Sequence, residues 1–135
     1  ENRGSYRKTN VIISGAEHTP PQSFEVAQKM EQFIKEYETN KLIMHPIELA
    51  SFVHIEFVGT HPFIDGNGRT SRLLMNLELI KAGFPPVVIN VEDRLEYYKA
   101  LDTAHTTGNN ELFLQLMKKV VEKSFEPYFY LLEGK

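Results

Sequence analysis

The sequence predicts an all-α fold: a single compact helical bundle built around one central helix, with a short β-hairpin before the first helix. Three observations carry this. From Ser23 onward, apolar residues recur at three- and four-residue spacing in successive segments. Pro, Gly and Asn fall mostly between those segments. β-Branched runs are confined to two short pieces, Val11-Ile12-Ile13 and Val87-Val88-Ile89. At 135 residues the chain supports one domain with one core, over residues 1–135, with the boundary before Glu1 left open.

Residues 1–10 are polar and read as a loop. Val11-Ile12-Ile13 is the first arm of the hairpin, Ser14-Gly15-Ala16-Glu17-His18 its turn, and Thr19-Pro20-Pro21 an extended exit. An open hairpin edge suits an extended peptide added as a further strand. Ser23 is the expected cap of the first helix, with Glu25 in its first turn. Val26, Met30, Phe33, Ile34 and Tyr37 then mark one face, and the helix ends near Asn40. Pro46 suits the first turn of the second helix. Leu49, Phe52, Val53 and Phe57 make that segment apolar on most sides. His54, within it, reads as a buried, hydrogen-bonded histidine; neither its His-x-Glu pattern with Glu56 nor its spacing to His45, His61 and His105 matches a metal motif.

Pro62 disfavours helical dihedrals at His61, so the second helix must end near Thr60. The third helix runs from Arg69 to about Lys81, with Leu73, Leu74, Leu77 and Ile80 as its packing face, Gly83 as its cap and Pro85-Pro86 as its stop. Asn90 caps the fourth helix, with Glu92 and Asp93 in its first turn and Leu95, Tyr98 and Leu101 as its buried stripe. Tyr97 and Tyr98 point about 100° apart, so one packs while the other is free to reach a ligand. Gly108-Asn109-Asn110 is a turn. Leu112, Phe113, Leu116, Met117, Val120 and Val121 mark the last long helix. Pro127 should break it near Phe125, and 128–132 is apolar enough to pack on the domain.

The chemistry concentrates in His61-Pro62-Phe63-Ile64-Asp65-Gly66-Asn67-Gly68-Arg69-Thr70-Ser71-Arg72. This run enters a helix, whose start carries unbonded N–H groups and a positive dipole end. Gly66 and Gly68 let the backbone approach a ligand closely, and Gly-Asn-Gly makes a nest of N–H groups for phosphate oxygens. Arg69 and Arg72 lie on one face and oppose the dipole, a cost that a bound polyanion offsets. Asp65 is a hard oxygen ligand beside an implied phosphate, the usual setting for Mg²⁺. His61, with an ordinary pKa of about 6.5, suits proton abstraction near neutrality.

The run resembles the signature of the Fic family, His-Pro-Phe-x-(Asp/Glu)-Gly-Asn-Gly-Arg-x-x-Arg, with every fixed position present. Gly4-Ser5-Tyr6-Arg7 before Val11-Ile12-Ile13 is similar to the strand leading into that family's hairpin "flap". Pro20-Pro21 resembles its exit, and Ala82-Gly83-Phe84-Pro85-Pro86 the turn after its motif helix. The resemblance implies a protein adenylyltransferase that moves AMP from ATP to a Ser, Thr or Tyr hydroxyl. It implies His61 as base, Asp65 as Mg²⁺ ligand, Gly66, Asn67 and Gly68 as anion hole through N–H groups and side chain, and Arg69 and Arg72 on the outer phosphates. It further implies that the fourth helix lies near the adenine, with Tyr97, Tyr98 and His105 as candidates there, that Ser14 and Gly15 of the flap turn join the nucleotide set, and that the flap, residues 11–18, aligns the target protein. The alternatives are a Fic-fold enzyme that transfers or removes another phosphate-containing group, AMP removal included, and a non-catalytic nucleotide- or peptide-binding module. Gly68 argues against the kinase variant, which replaces that glycine; intact His61 and Asp65 argue against the module.

Many family members carry an inhibitory helix with (Ser/Thr)-x-x-x-Glu-(Gly/Asn). Glu133-Gly134 has the ending but Phe129 stands at the Ser/Thr position; Thr107 and Glu111 have the spacing but Leu112 follows. The inhibitory helix is therefore expected upstream or on another chain, and transfer is expected over removal.

Composition excludes other classes. A net charge of −3, with 41% hydrophobic and 24% charged residues, argues against broad nucleic-acid or membrane-surface binding. The absence of cysteine rules out disulfides and thiolate zinc sites. No apolar run approaches the roughly 20 residues of a bilayer span, and no signal-peptide pattern opens the chain, so the expected location is cytoplasmic.

Overall fold

The computed structural model describes residues 3–134. Six α-helices follow in order: α1 Val26–Asn40, α2 Pro46–Thr60, α3 Asn67–Lys81, α4 Arg94–Thr107, α5 Glu111–Ser124 and α6 Glu126–Leu132. Single 3₁₀ turns lead into α1 at Ser23–Glu25 and into α4 at Val91–Asp93. Helix α2 touches α1, α3, α4 and α5, and α3 makes the most extensive of these contacts. Ten residues of α2 are buried, which is why its sequence is apolar on nearly every side.

The core has two parts that share α2. Ala50, Ile55, Met75, Leu79, Leu101, Phe113, Leu116 and Met117 join α2 to α3, α4 and α5. Val26, Met30, Phe33, Leu49, Phe52, Val53 and Phe57 join α1 to α2. Side chains sealed as fully as Phe113, Met75 and Leu116 each contribute about 1.5–3 kcal/mol by leaving water.

The helix ends follow local chemistry. Pro46 stands at the start of α2, and the His45 ring accepts from the Ile47 N–H at 3.1 Å. Beyond α3, Gly83 (φ 91) turns left-handed, its N–H bonding the Ile80 carbonyl and the Phe84 N–H that of Leu79, a Schellman stop. Pro127 ends α5 at Phe125 as expected.

Several expectations are corrected. The cap before α1 is Gln22, whose N–H donates to the Glu25 carboxylate at 2.9 Å, rather than Ser23, whose own N–H goes to the Asn10 side chain at 2.7 Å. No β-hairpin forms among the described residues, and Gly4-Ser5-Tyr6-Arg7 is not a strand. A hairpin needs two arms exchanging backbone bonds, and the bond closing this turn runs only from the Ala16 N–H to the Ile13 carbonyl. The flap, residues 11–18, is instead an extended excursion tied to α4: the Asp102 carboxylate accepts the N–H groups of Glu17 and His18 at 3.0 and 2.9 Å.

Helix α3 buries Asn67, Ser71, Met75, Glu78 and Leu79, while Leu73, Leu77 and Ile80 are exposed. Asn67 must face inward to hold the preceding loop, and Ser71, Met75 and Leu79 follow it at four-residue spacing. Small Ser71 carries no apolar signal yet lets α2 and α3 approach closely. Helix α4 likewise buries Tyr97, Ala100, Leu101 and Ala104 and leaves Leu95 and Tyr98 outside, because the two alanines are what fits between α4 and its neighbours. Leu112 of α5 is also exposed. Tyr128, Phe129, Tyr130, Leu131 and Leu132 are exposed, and of these Phe129 stacks on Phe125. Past the break at Phe125, α6 touches α5 and no other described helix. No described helix is long and apolar enough to cross a membrane.

Candidate active site

The site is a corner. Helix α2 ends at Thr60, the chain turns through 61–66, and α3 departs from Asn67. His61 makes the turn at φ 50, ψ 60, the only non-glycine residue at positive φ among those described. Such a conformation costs on the order of 1–3 kcal/mol and persists only where its surroundings impose it. Here the His61 N–H donates to the Phe57 carbonyl at 3.1 Å, and Arg7 holds the other side. The Arg7 N–H donates to the Pro62 carbonyl at 2.8 Å, its Nε to the His61 carbonyl at 2.6 Å and its Nη2 to the Thr60 carbonyl at 3.3 Å. The His61 imidazole is half-buried. Burial first, and the Arg7 charge second, push its pKa below 6.5, so it is a neutral base at pH 7.

The loop beyond it is stapled by Asn67. Its side-chain oxygen accepts the Phe63 N–H at 2.9 Å, and its amide donates to the Phe63 carbonyl at 2.8 Å. The Asn67 side chain is thus bonded to the loop through both its oxygen and its nitrogen. The first bond across the new helix runs from the Thr70 N–H to the Gly66 carbonyl. The N–H groups of Asn67, Gly68 and Arg69 precede it and have no carbonyl within α3 to reach.

Both glycines make room for guanidiniums. A Cβ on Gly66, itself at φ 76, would lie 3.3 Å from Arg69 Nη2, and one on Gly68 3.2 Å from Arg72 Nη1. Arg69 and Arg72 thus fold back over the loop and the start of α3. Arg72 lines a cavity of about 290 Å³ with Ile89, Arg94, Tyr97 and Tyr98. Asp65, exposed on the loop, lines a separate hollow of about 360 Å³ with Arg3, Gly4, Phe63 and Ile64. Among the described residues no cluster of three His, Cys, Asp or Glu side chains could hold a metal. A single exposed carboxylate suits a hard cation such as Mg²⁺, which needs only one or two protein oxygens.

Of the two tyrosines, Tyr97 packs and Tyr98 stays accessible. The Tyr97 hydroxyl lies 2.6 Å from His54 Nε2, sealed between α2 and α4. Burial pushes Tyr97 up to about 12 and His54 down to about 4, so at neutral pH a neutral hydroxyl and a neutral imidazole share this hydrogen bond. His54 also stacks on Phe113, with ring centroids 5.3 Å apart. In an unfolded chain His54 would titrate near 6.5. Between that value and about 4 the unfolded state holds the proton that the folded state refuses, so acid favours unfolding. Stability from this group is full above pH 6.5 and falls by about 3 kcal/mol by pH 4, at about 1.4 kcal/mol per unit. Denaturant titrations across that range should show His54→Gln with a distinctly flatter dependence; an unchanged dependence contradicts the assignment.

His105 is not brought to the cavity. Its Nε2 bonds the Ile55 carbonyl at 2.8 Å, and its ring sits 4.4 Å from that of His18. A Cβ on Gly59 would come within 2.8 Å of His105 Nε2, so Gly59 is the residue that admits it. His18 in turn bonds the Gly59 carbonyl at 2.9 Å. These rings fasten the flap to α2 and α4. Ser14 and Gly15 form the exposed tip of the flap turn, Gly15 at φ 82, and line neither cavity. Reading the sequence missed Arg7, Ile89 and Arg94 as site residues. Ile89 and Arg94 sit beside Asn90, where a helix start was already legible, but Arg7 lies 54 residues from His61 with no local signal.

The sequence profile described as Fic/DOC family matches residues 1–79. The chain is 41% identical over 127 residues to a Nematostella vectensis protein named protein adenylyltransferase Fic, covering 93% of this chain and 29% of that protein. A Drosophila grimshawi protein of the same name is 39% identical over 130 residues, covering 94% and 26%. The chain therefore spans under a third of the length of the curated relatives it matches. Fic-1 of C. elegans, solved over residues 134–508, superposes with a TM-score of 0.84 at 34% identity, over 97% of this chain and 38% of that one.

Proposed function

The chain belongs to the Fic/DOC family, and from that premise we propose that it is the catalytic core of an enzyme transferring AMP from ATP to a Ser, Thr or Tyr hydroxyl of a protein. One observation carries the reading: a neutral imidazole is held at a left-handed corner directly before a helix start roofed by two guanidiniums. The names of the relatives support it.

In this mechanism His61 takes the proton of the target hydroxyl as its oxygen attacks the α-phosphorus. The bond from that phosphorus to the bridging oxygen breaks, and pyrophosphate leaves. Main-chain N–H groups at the start of α3 stabilise charge on the phosphate oxygens. Arg69 and Arg72 hold the outer phosphates, and Arg94 adds positive charge to the same cavity. Tyr98 offers an accessible ring to the base, and Tyr97 backs Arg72. Asp65 would hold Mg²⁺, which supplies charge neutralisation at the phosphates. The flap would present the target: Ile12 is exposed, and the 11–13 backbone forms no ladder within the described chain. An inhibitory glutamate would come from upstream or from another chain; α6, which precedes Glu133, makes no contact with α3.

Labelled ATP tests the reading. Label from the α-phosphate should remain on protein and label from the γ-phosphate should not; the reverse identifies a kinase, and neither means another donor or a binder. Arg72→Ala should weaken ATP binding by about 10- to 100-fold, since a charge-assisted bond to phosphate contributes about 1.5–3 kcal/mol. Calorimetric titration of ATP checks this, and an unchanged Kd removes Arg72 from the phosphate site.

A further inference from the structure

Arg7 is 3% exposed, and its partners among the described residues are main-chain carbonyls. Nε bonds His61 and Nη2 bonds Thr60, at the end of α2. Nη1 bonds Thr9 at 3.0 Å, and Nη2 also bonds Pro21. Thr9 and Pro21 flank the flap, so one planar cation joins both ends of the flap to the corner that carries the imidazole. The negative end of the α2 dipole offsets part of its charge. Burial lowers its pKa, yet a guanidinium stays charged at any ordinary pH. A lysine could not replace it, because an ammonium is a point and four carbonyls in different directions need a fork.

We propose that Arg7 is the positioning residue of the base, a buried clamp through which the flap and the His61 corner move as one unit. The proposal rests on the reading of His61 as base. A target segment seated on the flap would thereby steady the imidazole that must reach its hydroxyl. Should the flap shift, Thr9 and Pro21 would drag the guanidinium, and the His61 carbonyl with it. This couples docking to base orientation without any contact between Arg7 and substrate.

Two variants separate charge from shape. Arg7→Gln removes both, and Arg7→Lys keeps the charge without the fork. With α-labelled ATP and Mg²⁺, and self-modification as readout, both should transfer about 100-fold more slowly at saturating ATP, the scale of a displacement of about 1 Å at a reacting group. The Kd for ATP should change less than about twofold. In NMR titrations the His61 imidazole should titrate higher in Arg7→Gln than in wild type, since the Arg7 charge helps depress it, and remain low in Arg7→Lys. Folded variants with wild-type transfer, or with ATP affinity lost in step with rate, overturn the proposal. Should neither variant fold, the wild-type protein carries the test: the Arg7 Nε–H must be protected from exchange and must shift as His61 titrates. A fast-exchanging signal, or one blind to that titration, overturns it too. A wild-type protein that transfers no label refutes the proposed activity instead, while the His61 titration still decides the role of Arg7.

Discussion

His61→Ala should lower transfer by roughly 100- to 10,000-fold, the range a positioned general base supplies, while ATP binding and folding persist. The reason for expecting persistence is that the bonds holding the corner are main-chain ones. The His61 N–H to Phe57 and the His61 carbonyl to Arg7 do not involve the imidazole. Alanine at φ 50 meets much the same steric cost as histidine. ATP titration, thermal melting and label transfer on one preparation check all three quantities. Loss of ATP binding together with transfer would mean that the ring serves structure and is not the base. The pH profile adds a second reading. Because burial and Arg7 depress the imidazole, the decline of wild-type transfer on acidification should be centred below pH 6.5. A decline centred above 6.5 would point to another group.

Asn67→Ala should destabilise the protein by about 3 kcal/mol and abolish ATP binding at the same time. Asn67 is 3% exposed, and both ends of its amide are bonded to Phe63. Removing the side chain leaves an N–H and a carbonyl unpaired in a part-buried loop, each costing about 1–3 kcal/mol. For a domain of this size the melting temperature should drop by roughly 10 °C. The released loop carries Asp65 and Gly66, so the anion-facing N–H groups lose their arrangement too. Asn67→Asp is informative: its carboxylate still accepts the Phe63 N–H but repels the Phe63 carbonyl, so it should fall near alanine. A stable Asn67→Ala protein with wild-type ATP affinity would show that the staple is dispensable.

Legibility followed the range of the interactions. The helix breaks were readable because Pro46, Gly83 and Pro127 act on their own backbone within a turn or two. The reactive corner was readable because its parts fall within twelve consecutive residues, His61 to Arg72. The buried faces of α3 and α4 were not, because Ser71, Ala100 and Ala104 fit by smallness and register no apolar signal. The flap misled for a related reason. Val11-Ile12-Ile13 has the composition of a strand, but a strand exists only with a partner, and Asp102, 85 residues on from Glu17, claimed the backbone bonds of the turn instead.

By itself the chain's order of residues determined that there would be a helical bundle, where most helices stop, and that a histidine, a carboxylate, two glycines and two arginines would share one corner. Those outcomes are set by forces acting across a few neighbouring residues. Only the tertiary structure decided which way the corner faces and what keeps it there. Arg7 reaches Thr60 and His61 across 53 and 54 residues, and Tyr97 meets His54 across 43. Such pairs become neighbours only after packing has removed water and left buried polar groups to bond one another.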